Sequence, residues 1–159
     1  MTSVAVLAAH GELRALATRD LRTGEVVLTL EGVLVSAPTR FTVQVGPANH
    51  LEIPDGVTWR EQLERYSWRF LNHSCSPNTR IAGPGGRNLV ALVDIAEGTE
   101  LDFDYESNEY ELAEPFTCRC PRCAGRPIRG FRFLSQAERE RRRATLSDHL
   151  LPHLDSPSR

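Results

Sequence analysis

The first two thirds of the chain consist of short apolar runs, each ended by glycine, proline or charged residues. Runs of this length, with β-branched residues or period-two alternation, predict β-strands. The predicted strands cover residues 13–17, 26–30, 33–35 and 41–45, with 49–53 as a returning hairpin partner, and then 88–93 and 99–105. The glycine-rich stretch 83–86 is predicted to be a loop.

Two segments have the pattern of helices. Residues 59–69 follow Thr58, which has Glu61 three positions further on and so forms a capping box. The second helix is predicted from residue 135 to about residue 150, because the run contains no glycine or proline and opens with a second capping box. The remaining residues, from Pro152, are expected to be frayed.

The second predicted helix carries an arginine-rich stretch at residues 139–143. Such a stretch is typical of a solvated helix face, and contact with nucleic acid is the less favoured interpretation because Glu138 and Glu140 dilute the charge. The net charge of −2 over 159 residues likewise gives no general attraction to nucleic acid.

Composition places the chain in an ordinary class, a single domain large enough for a hydrophobic core. All 19 basic residues are arginine and none is lysine, which fits a GC-rich coding sequence and suggests a high-GC bacterial source. The first residues lack the basic region of a secretory signal, and no apolar run has the length of a membrane span. We therefore expect a cytoplasmic protein without a membrane partner.

Four cysteines are arranged in a way that favours a metal. Cys118, Cys120 and Cys123 lie in one short run, and Cys75 lies far upstream. Structural zinc takes four tetrahedral ligands, usually thiolates or imidazoles. Reduced thiols in a loop, or a disulfide with spare thiols, remain alternatives. If zinc binds all four sulfurs, it fastens the segment around Cys75 to the C-terminal part of the chain.

Residues 69–78 contain the run Asn-His-Ser-Cys-Ser-Pro-Asn, and residues 100–105 read Glu-Leu-Asp-Phe-Asp-Tyr before the cysteine run. This order resembles SET-domain methyltransferases with a post-SET tail, and the resemblance covers roughly residues 10–133. It implies a mainly β fold with short helices: a β-clip of small curved sheets, a threaded C-terminal segment, a post-SET zinc module and a C-terminal helix. The implied division is a SET domain at 1–115, a zinc-binding segment at 116–134, and a helix and tail at 135–159.

The resemblance also implies an activity, S-adenosylmethionine-dependent methylation of a lysine on a protein substrate. Tyr105 is the implied catalytic residue, and Phe103 the position that governs how many methyl groups are added. Repulsion from the sulfonium favours the neutral amine, so no dedicated side-chain base is expected. The implied cofactor-binding residues are Gly11, Glu12, Leu13, Arg14, Arg69, Asn72, His73, Tyr105 and Phe116. The implied zinc ligands are Cys75, Cys118, Cys120 and Cys123.

Departures from the family pattern keep other functions open. Family members usually have a glycine-X-glycine turn at the cofactor where this chain has Glu12-Leu13-Arg14, and often an active-site tyrosine where it has Leu30. Both favour a non-catalytic SET-like module that serves as a binding or regulatory partner. The short segment between Val35 and Arg69 favours a third reading, an enzyme of this fold acting on a small-molecule acceptor.

Overall fold

A computed structural model describes residues 3–123 and 125–157. The described chain is mainly β, built of short strands with two α-helices and several turns of 3-10 helix. The strands are β1 (Val4–Ala9), β2 (Glu12–Ala17), β3 (Val26–Thr29), β4 (Val33–Val35), β5 (Val43–Gln44), β6 (His50–Glu52), β7 (Asn72–His73), β8 (Thr79–Ala82), β9 (Asn88–Ala91), β10 (Asp102–Phe103), β11 (Phe116–Thr117) and β12 (Pro127–Ile128). The helices are α1 (Trp59–Glu64) and α2 (Gln136–Arg142).

The strands form small separate sheets, as the resemblance implies. β1 and β2 make a hairpin, β3, β9 and β8 a three-stranded sheet, and β4, β6 and β5 another. The returning strand β6 pairs with both β4 and β5, which confirms the predicted hairpin. β1 was not predicted. It pairs with β2 through the turn His10-Gly11, whose positive φ angles of 52° and 80° suit a two-residue hairpin.

Helix α1 begins where the capping box predicts, with reciprocal hydrogen bonds between Thr58 and Glu61. It ends at Glu64 and not at residue 69, so the predicted length is wrong. The chain then forms a 3-10 turn, Ser67–Phe70, which buries the Trp68 ring. The Trp68 indole N–H donates to the Glu31 carbonyl at 3.0 Å. Burial of this ring accounts for the early end of the helix, because a continuous α-helix would present a different face.

The C-terminal region also differs from the prediction. The capping box at Ser135 is present, but α2 stops at Arg142 and a 3-10 segment, Asp148–His153, follows. Apolar residues from these segments form a second hydrophobic cluster, which comprises Phe131, Leu134, Leu146, Leu150 and Leu154. Leu154 is only 5% exposed, so the described part of the tail is ordered by packing and the expectation of fraying is wrong up to residue 157. Residues 158–159 lie outside the described part.

Only part of the arginine-rich stretch is the solvated face that the sequence indicates, because Arg141 and Arg143 are exposed whereas Arg139 and Arg142 face the protein. Arg139 is 1% exposed, and its guanidinium donates to the main-chain carbonyls of Arg132, His153 and Ser156. Arg142 points towards the body of the domain, where it contacts Asp104. Arginine satisfies several carbonyls at once because its planar head has five donors, and here that head closes the C-terminal turn.

A short parallel pair positions the residues of the resemblance. β7 and β10 align Asn72 with Asp102 and Phe103 with His73. Beyond β7, Asn78 exchanges main-chain and side-chain hydrogen bonds with Asp102, and its amide donates to the Glu100 carbonyl at 2.7 Å. The predicted strand 99–105 is therefore reduced to β10, with one isolated bridge between Leu16 and Glu100. Among the described residues, no helix has the length and apolar character needed to span a bilayer.

Candidate active site

A cleft of about 1100 Å³ opens beside the β7–β10 pair. Most of the predicted site residues line it: Glu12, Arg14, Arg69, Asn72, His73, Phe103, Tyr105, Phe116, Cys118 and Cys120. Gly11 lies in the β1–β2 turn and is not part of the lining. Leu13 contributes through its main chain, whose carbonyl accepts a hydrogen bond from the Asn72 amide at 3.2 Å. Leu30 is fully buried in the main core.

Tyr105 stands at the first position of a 3-10 turn, Tyr105–Ser107, that Asp104 caps. Its hydroxyl donates to the Leu71 carbonyl at 2.7 Å. Burial, together with the charge of Glu109, raises the pKa of Tyr105 above its ordinary value. The phenol therefore keeps its proton, which points at Leu71, and its oxygen lone pairs remain available as acceptors.

Aromatic rings surround Tyr105 on the cleft side. Its ring centroid lies 4.7 Å from that of Phe103, 5.3 Å from that of His73 and 5.9 Å from that of Phe116. Phe103 is buried at 4% exposure, whereas Phe116, at 37%, stands at the surface. The two predicted phenylalanines thus both contact the tyrosine ring but differ in burial. Offset and edge contacts of this kind fix ring orientation.

The buried imidazole of His73 connects Tyr105 with a cysteine. Its Nδ1 accepts the Tyr105 main-chain N–H at 3.2 Å, so the ring proton lies on Nε2, which is 3.2 Å from Cys75 Sγ. Burial lowers the pKa of His73 to about 4, against the opposing charge of Asp104, and the ring is neutral at physiological pH. One side chain therefore joins the tyrosine turn to the cysteine cluster.

The four cysteines come together as the zinc hypothesis requires. Their sulfur atoms all lie within 4.8 Å of one another, and none is in a disulfide. Cys75 Sγ and Cys118 Sγ are 3.8 Å apart. A tetrahedral zinc site with Zn–S bonds of about 2.3 Å has sulfur–sulfur edges of about 3.8 Å, so the Cys75–Cys118 pair already has the spacing that zinc requires. Burial raises the pKa of Cys75, and raises that of Cys118 to about 11. Both side chains are therefore thiols at neutral pH unless a bound cation stabilises their thiolate forms.

A group of three charged residues and one amide, which we call the wall cluster, occupies the side of the cleft next to β2. It comprises Glu12, Arg14, Asn72 with its polar amide, and Glu100. Arg14 Nη1 lies 3.0 Å from Glu100 Oε2 and Nη2 lies 3.8 Å from Glu12 Oε2. The Asn72 amide donates to Glu100 Oε1 at 2.9 Å. Glu100 therefore organises this wall, although the sequence pattern did not single it out.

A second set of charges holds the tyrosine turn from behind. Asp104 Oδ2 is 2.7 Å from Arg142 Nε of α2, and Glu106 Oε2 is 2.5 Å from Arg126 Nη2. Arg142 Nη2 also lies 3.7 Å from Glu106. Asp104 and Glu106 are almost completely buried. No local pattern in the sequence indicates this arrangement, because the acids and the arginines lie in segments far apart along the chain.

The chain is similar in sequence to known histone-lysine methyltransferases. Histone-lysine N-methyltransferase trithorax of Drosophila virilis is 29% identical over 132 residues, which cover 76% of this chain and 3% of that protein. The H3 lysine-9 specific histone-lysine N-methyltransferase dim-5 of Neurospora crassa is 36% identical over 78 residues, 36% of this chain and 24% of that protein. The chain thus spans a small part of the relatives it matches.

The fold has a solved counterpart, and the sequence matches a family model. The crystal structure of KRYPTONITE in complex with mCHH DNA, an H3(1-15) peptide and SAH superposes with a TM-score of 0.56 at 19% identity, covering 79% of this chain and 29% of that one. The family model described as SET domain matches residues 14–106, more than half of the chain. The match contains β7, β10 and Tyr105. The chain therefore belongs to the SET-domain family.

Proposed function

We propose that this protein is an S-adenosylmethionine-dependent methyltransferase that acts on a lysine side chain of a protein. The observation that carries the proposal is the Tyr105 hydroxyl, held by the Leu71 carbonyl on the lining of an open cleft. Membership of the SET-domain family and similarity to histone-lysine methyltransferases support it. The cleft is large enough to admit a donor and an acceptor side chain together, and it opens to solvent.

The chain's own groups suit the positioning that methyl transfer needs. S-adenosylmethionine, when bound, supplies a methyl group activated by a sulfonium. The Tyr105 oxygen and the Leu71 carbonyl lie side by side, so both can accept weak C–H···O contacts from a methyl group and fix its direction. Alignment of acceptor and methyl supplies a large part of the rate in such a displacement. The aromatic rings of Phe103 and Phe116 exclude water from the same place.

The wall cluster suits the amino-acid part of the donor, which carries both an ammonium and a carboxylate. Arg14 presents a cation to the cleft, and Glu12 and Glu100 present anions. Side chains thus replace the close backbone approach that the usual glycines give. Asn72 and His73 line the adjoining part of the cleft.

Zinc would be held by Cys75 and the three cysteines of the run 118–123, which fit it in number and spacing. Its contribution is structural, because four sulfur ligands leave no open position for a substrate. The ion would fasten the segment that carries Phe116 over the cleft. We infer that the cysteine run 118–123 has the structural role of a post-SET tail.

One observation favours a second candidate, a non-catalytic SET-like module. The Asn72 amide and the Arg14 guanidinium already bond to Glu100, so part of the cofactor wall is satisfied by the protein itself. A donor would have to exchange these contacts for its own. If the donor does not displace these contacts, the cleft serves to bind a partner protein and not a methyl donor.

Two measurements on the zinc-loaded protein decide between the candidates. We expect isothermal calorimetry to show binding of S-adenosylmethionine and S-adenosylhomocysteine with one site per chain. We expect labelled methyl groups to enter peptides that each contain a single lysine. Because the chain contains no lysine, self-labelling of a lysine cannot imitate this result.

The contrary outcomes are distinct. Absence of binding for both compounds would end the methyltransferase proposal and leave the binding module. Binding with transfer only into the low-mass fraction of a cell lysate would replace the protein substrate by a small-molecule acceptor. Matched samples without zinc control for nonspecific transfer.

A further inference from the structure

We propose that Glu109 is the site for the acceptor amine, where its carboxylate binds the substrate ammonium and takes one proton before methyl transfer. The inference rests on the proposed function and deepens it. It replaces the expectation that no side-chain base takes part. Glu109 lies four residues after Tyr105 and lines the same cleft.

The two carboxylate oxygens of Glu109 have different surroundings. Oε1 accepts the Gln44 main-chain N–H at 2.8 Å and the Asn108 amide at 2.9 Å. Oε2 has no donor within hydrogen-bond distance in residues 3–123 and 125–157, and the nearest ionisable group that contacts it is His50 Nε2 at 4.0 Å. One oxygen is therefore fixed by the fold, and the other is left for a ligand.

The carboxylate also lacks a permanent counter-ion. Its side chain is 7% exposed, and a buried carboxylate is costly unless it is paired. Burial and the neighbouring His149 lower the pKa of His50, and burial lowers that of His149, so neither ring is a cation at neutral pH. Tyr105 stays protonated for the reasons given above. A substrate ammonium would supply the missing positive charge.

The position of Glu109 relative to Tyr105 suits the reaction. The Glu109 N–H donates to the Tyr105 carbonyl at 2.7 Å, which places the two residues on one turn. Both residues line the same cleft, and the charge of Glu109 adds to the effect of burial in raising the pKa of Tyr105. An amine held by Glu109 would lie in the cleft that Tyr105 also lines.

The chemical step balances without a further reactant. The substrate ammonium transfers one proton to Glu109, which becomes a neutral carboxylic acid, and a neutral amine remains. The nitrogen lone pair then forms the bond to the methyl carbon while the carbon–sulfur bond of the sulfonium donor breaks and sulfur keeps that electron pair. The product is a methylated ammonium and a neutral thioether, and Glu109 returns its proton to solvent.

The proposal makes a specific statement about pH. Burial raises the pKa of Glu109 to about 7, against hydrogen bonds from Gln44 and Asn108 that lower it. Only the deprotonated carboxylate accepts a proton, so the rate with saturating donor should fall below about pH 7 and reach a plateau above it. The groups that face Glu109 are His50, Tyr105, Gln44 and Asn108, with His149 behind His50.

The decisive variant is Glu109→Gln, assayed with donor and a single-lysine peptide that the wild type methylates. Without a base, the enzyme must use amine already neutral in solution. A lysine with a pKa of about 10.4 is neutral in about one molecule in a thousand at pH 7.5, so the rate should fall by roughly 100- to 1000-fold and rise about tenfold per pH unit up to pH 10. Glu111→Gln is the matched control, because Glu111 is exposed and pairs with Arg132 outside the cleft.

A second readout needs no turnover. The carbon-13 signal of the Glu109 carboxyl, identified by its loss in Glu109→Gln, should titrate near pH 7 in the free protein. Addition of n-butylammonium, a mimic of the lysine side chain, should lower that midpoint, because a bound cation favours the carboxylate. The wild-type rate profile remains available as a test if the variant fails to fold.

The results that overturn the inference differ from those that overturn the proposed function. A wild-type profile without a break near pH 7, a Glu109→Gln profile parallel to the wild type, or a carboxyl signal unaffected by n-butylammonium would each remove the role of Glu109 and leave the methyltransferase intact. Failure of the wild type to bind donor, or to methylate any peptide at any pH, would remove both.

Discussion

The hydrogen bond of the Tyr105 hydroxyl fixes the direction of its proton. Because its proton goes to the Leu71 carbonyl, the oxygen offers only lone pairs to the cleft. Phenylalanine in the same place keeps the ring contacts with His73 and Phe103 but loses this oxygen. The substitution therefore separates the chemical contribution of the residue from its contribution to packing.

We expect Tyr105→Phe to lower the rate of methyl transfer by about 100-fold, the order of loss that follows misplacement of a reacting group. Its free energy of unfolding should change by only about 1 kcal/mol, for one lost hydrogen bond. Steady-state kinetics and thermal unfolding measure the two effects. Tyr110→Phe is the control, because Tyr110 packs on Phe131 and His153 away from the cleft. A Tyr105→Phe enzyme of undiminished rate would contradict the catalytic assignment.

At the scale of residues, the sequence predicted groups that belong to a contiguous motif. Asn72, His73 and Tyr105 line one cleft, and the four cysteines come together. The sequence did not predict roles for Glu100 and Glu109, because each lies among several other acidic residues. Only their hydrogen-bond partners in the fold set them apart. Those partners, Asn72, Arg14 and Gln44, lie 28 to 86 residues away along the chain.

At the scale of elements, helix α2 supports the tyrosine turn from outside the family match. Arg142 contacts Asp104 and Glu106, the residues on either side of Tyr105. Both carboxylates are buried, so loss of the arginine leaves charge without full compensation. The helix thus contributes to the geometry of the cleft without lining it.

We expect Arg142→Gln to lower the free energy of unfolding by about 3 kcal/mol, the order of loss for one partner of a buried ion pair. Arg143→Gln on the same helix should leave it almost unchanged, because Arg143 pairs with Glu140 at the exposed surface, where solvent screens the pair. Urea unfolding followed by circular dichroism measures both. Equal losses of unfolding free energy in the two variants would show that the contact between Arg142 and Asp104 stabilises the protein no more than a surface ion pair does.

The starts of elements were easier to predict than their ends. Both capping boxes are present, because Thr58 with Glu61 and Ser135 with Glu138 need only local geometry. Each helix ends early for a tertiary reason. The Trp68 ring is buried after α1, and Ser147 after α2 turns inward to donate to the Ile81 carbonyl at 3.1 Å. Contacts between distant segments decide such ends, and no run of neighbouring residues contains them.

At the scale of the whole molecule, the cysteine cluster and the second hydrophobic cluster join the C-terminal third to the rest. The division at residues 115 and 134 stays a prediction, although the described tail packs closely against the body of the domain. Zinc binding energy at such a site is folding energy, because the unfolded chain has no preformed site. Stability should therefore depend on the ion.

We expect one zinc ion per purified chain, and a large fall in melting temperature when a strong chelator removes it. Cys75→Ser should give a similar fall and lose the zinc, whereas serine at an uninvolved surface position, Thr23→Ser, should have no effect. Elemental analysis and calorimetry measure both quantities. A melting curve unchanged by the chelator, or a zinc-free protein of full stability, would contradict the metal site.

The junction between Cys75 and Cys118 also has a mechanical consequence. A metal bridge there closes a loop between two residues 43 positions apart, so tension applied at the two ends of the chain bypasses the loop. At about 3.4 Å for each extended residue, roughly 150 Å of contour length stays hidden until the bridge breaks. A single molecule held in optical tweezers would therefore lengthen in full only after its zinc–thiolate bonds rupture.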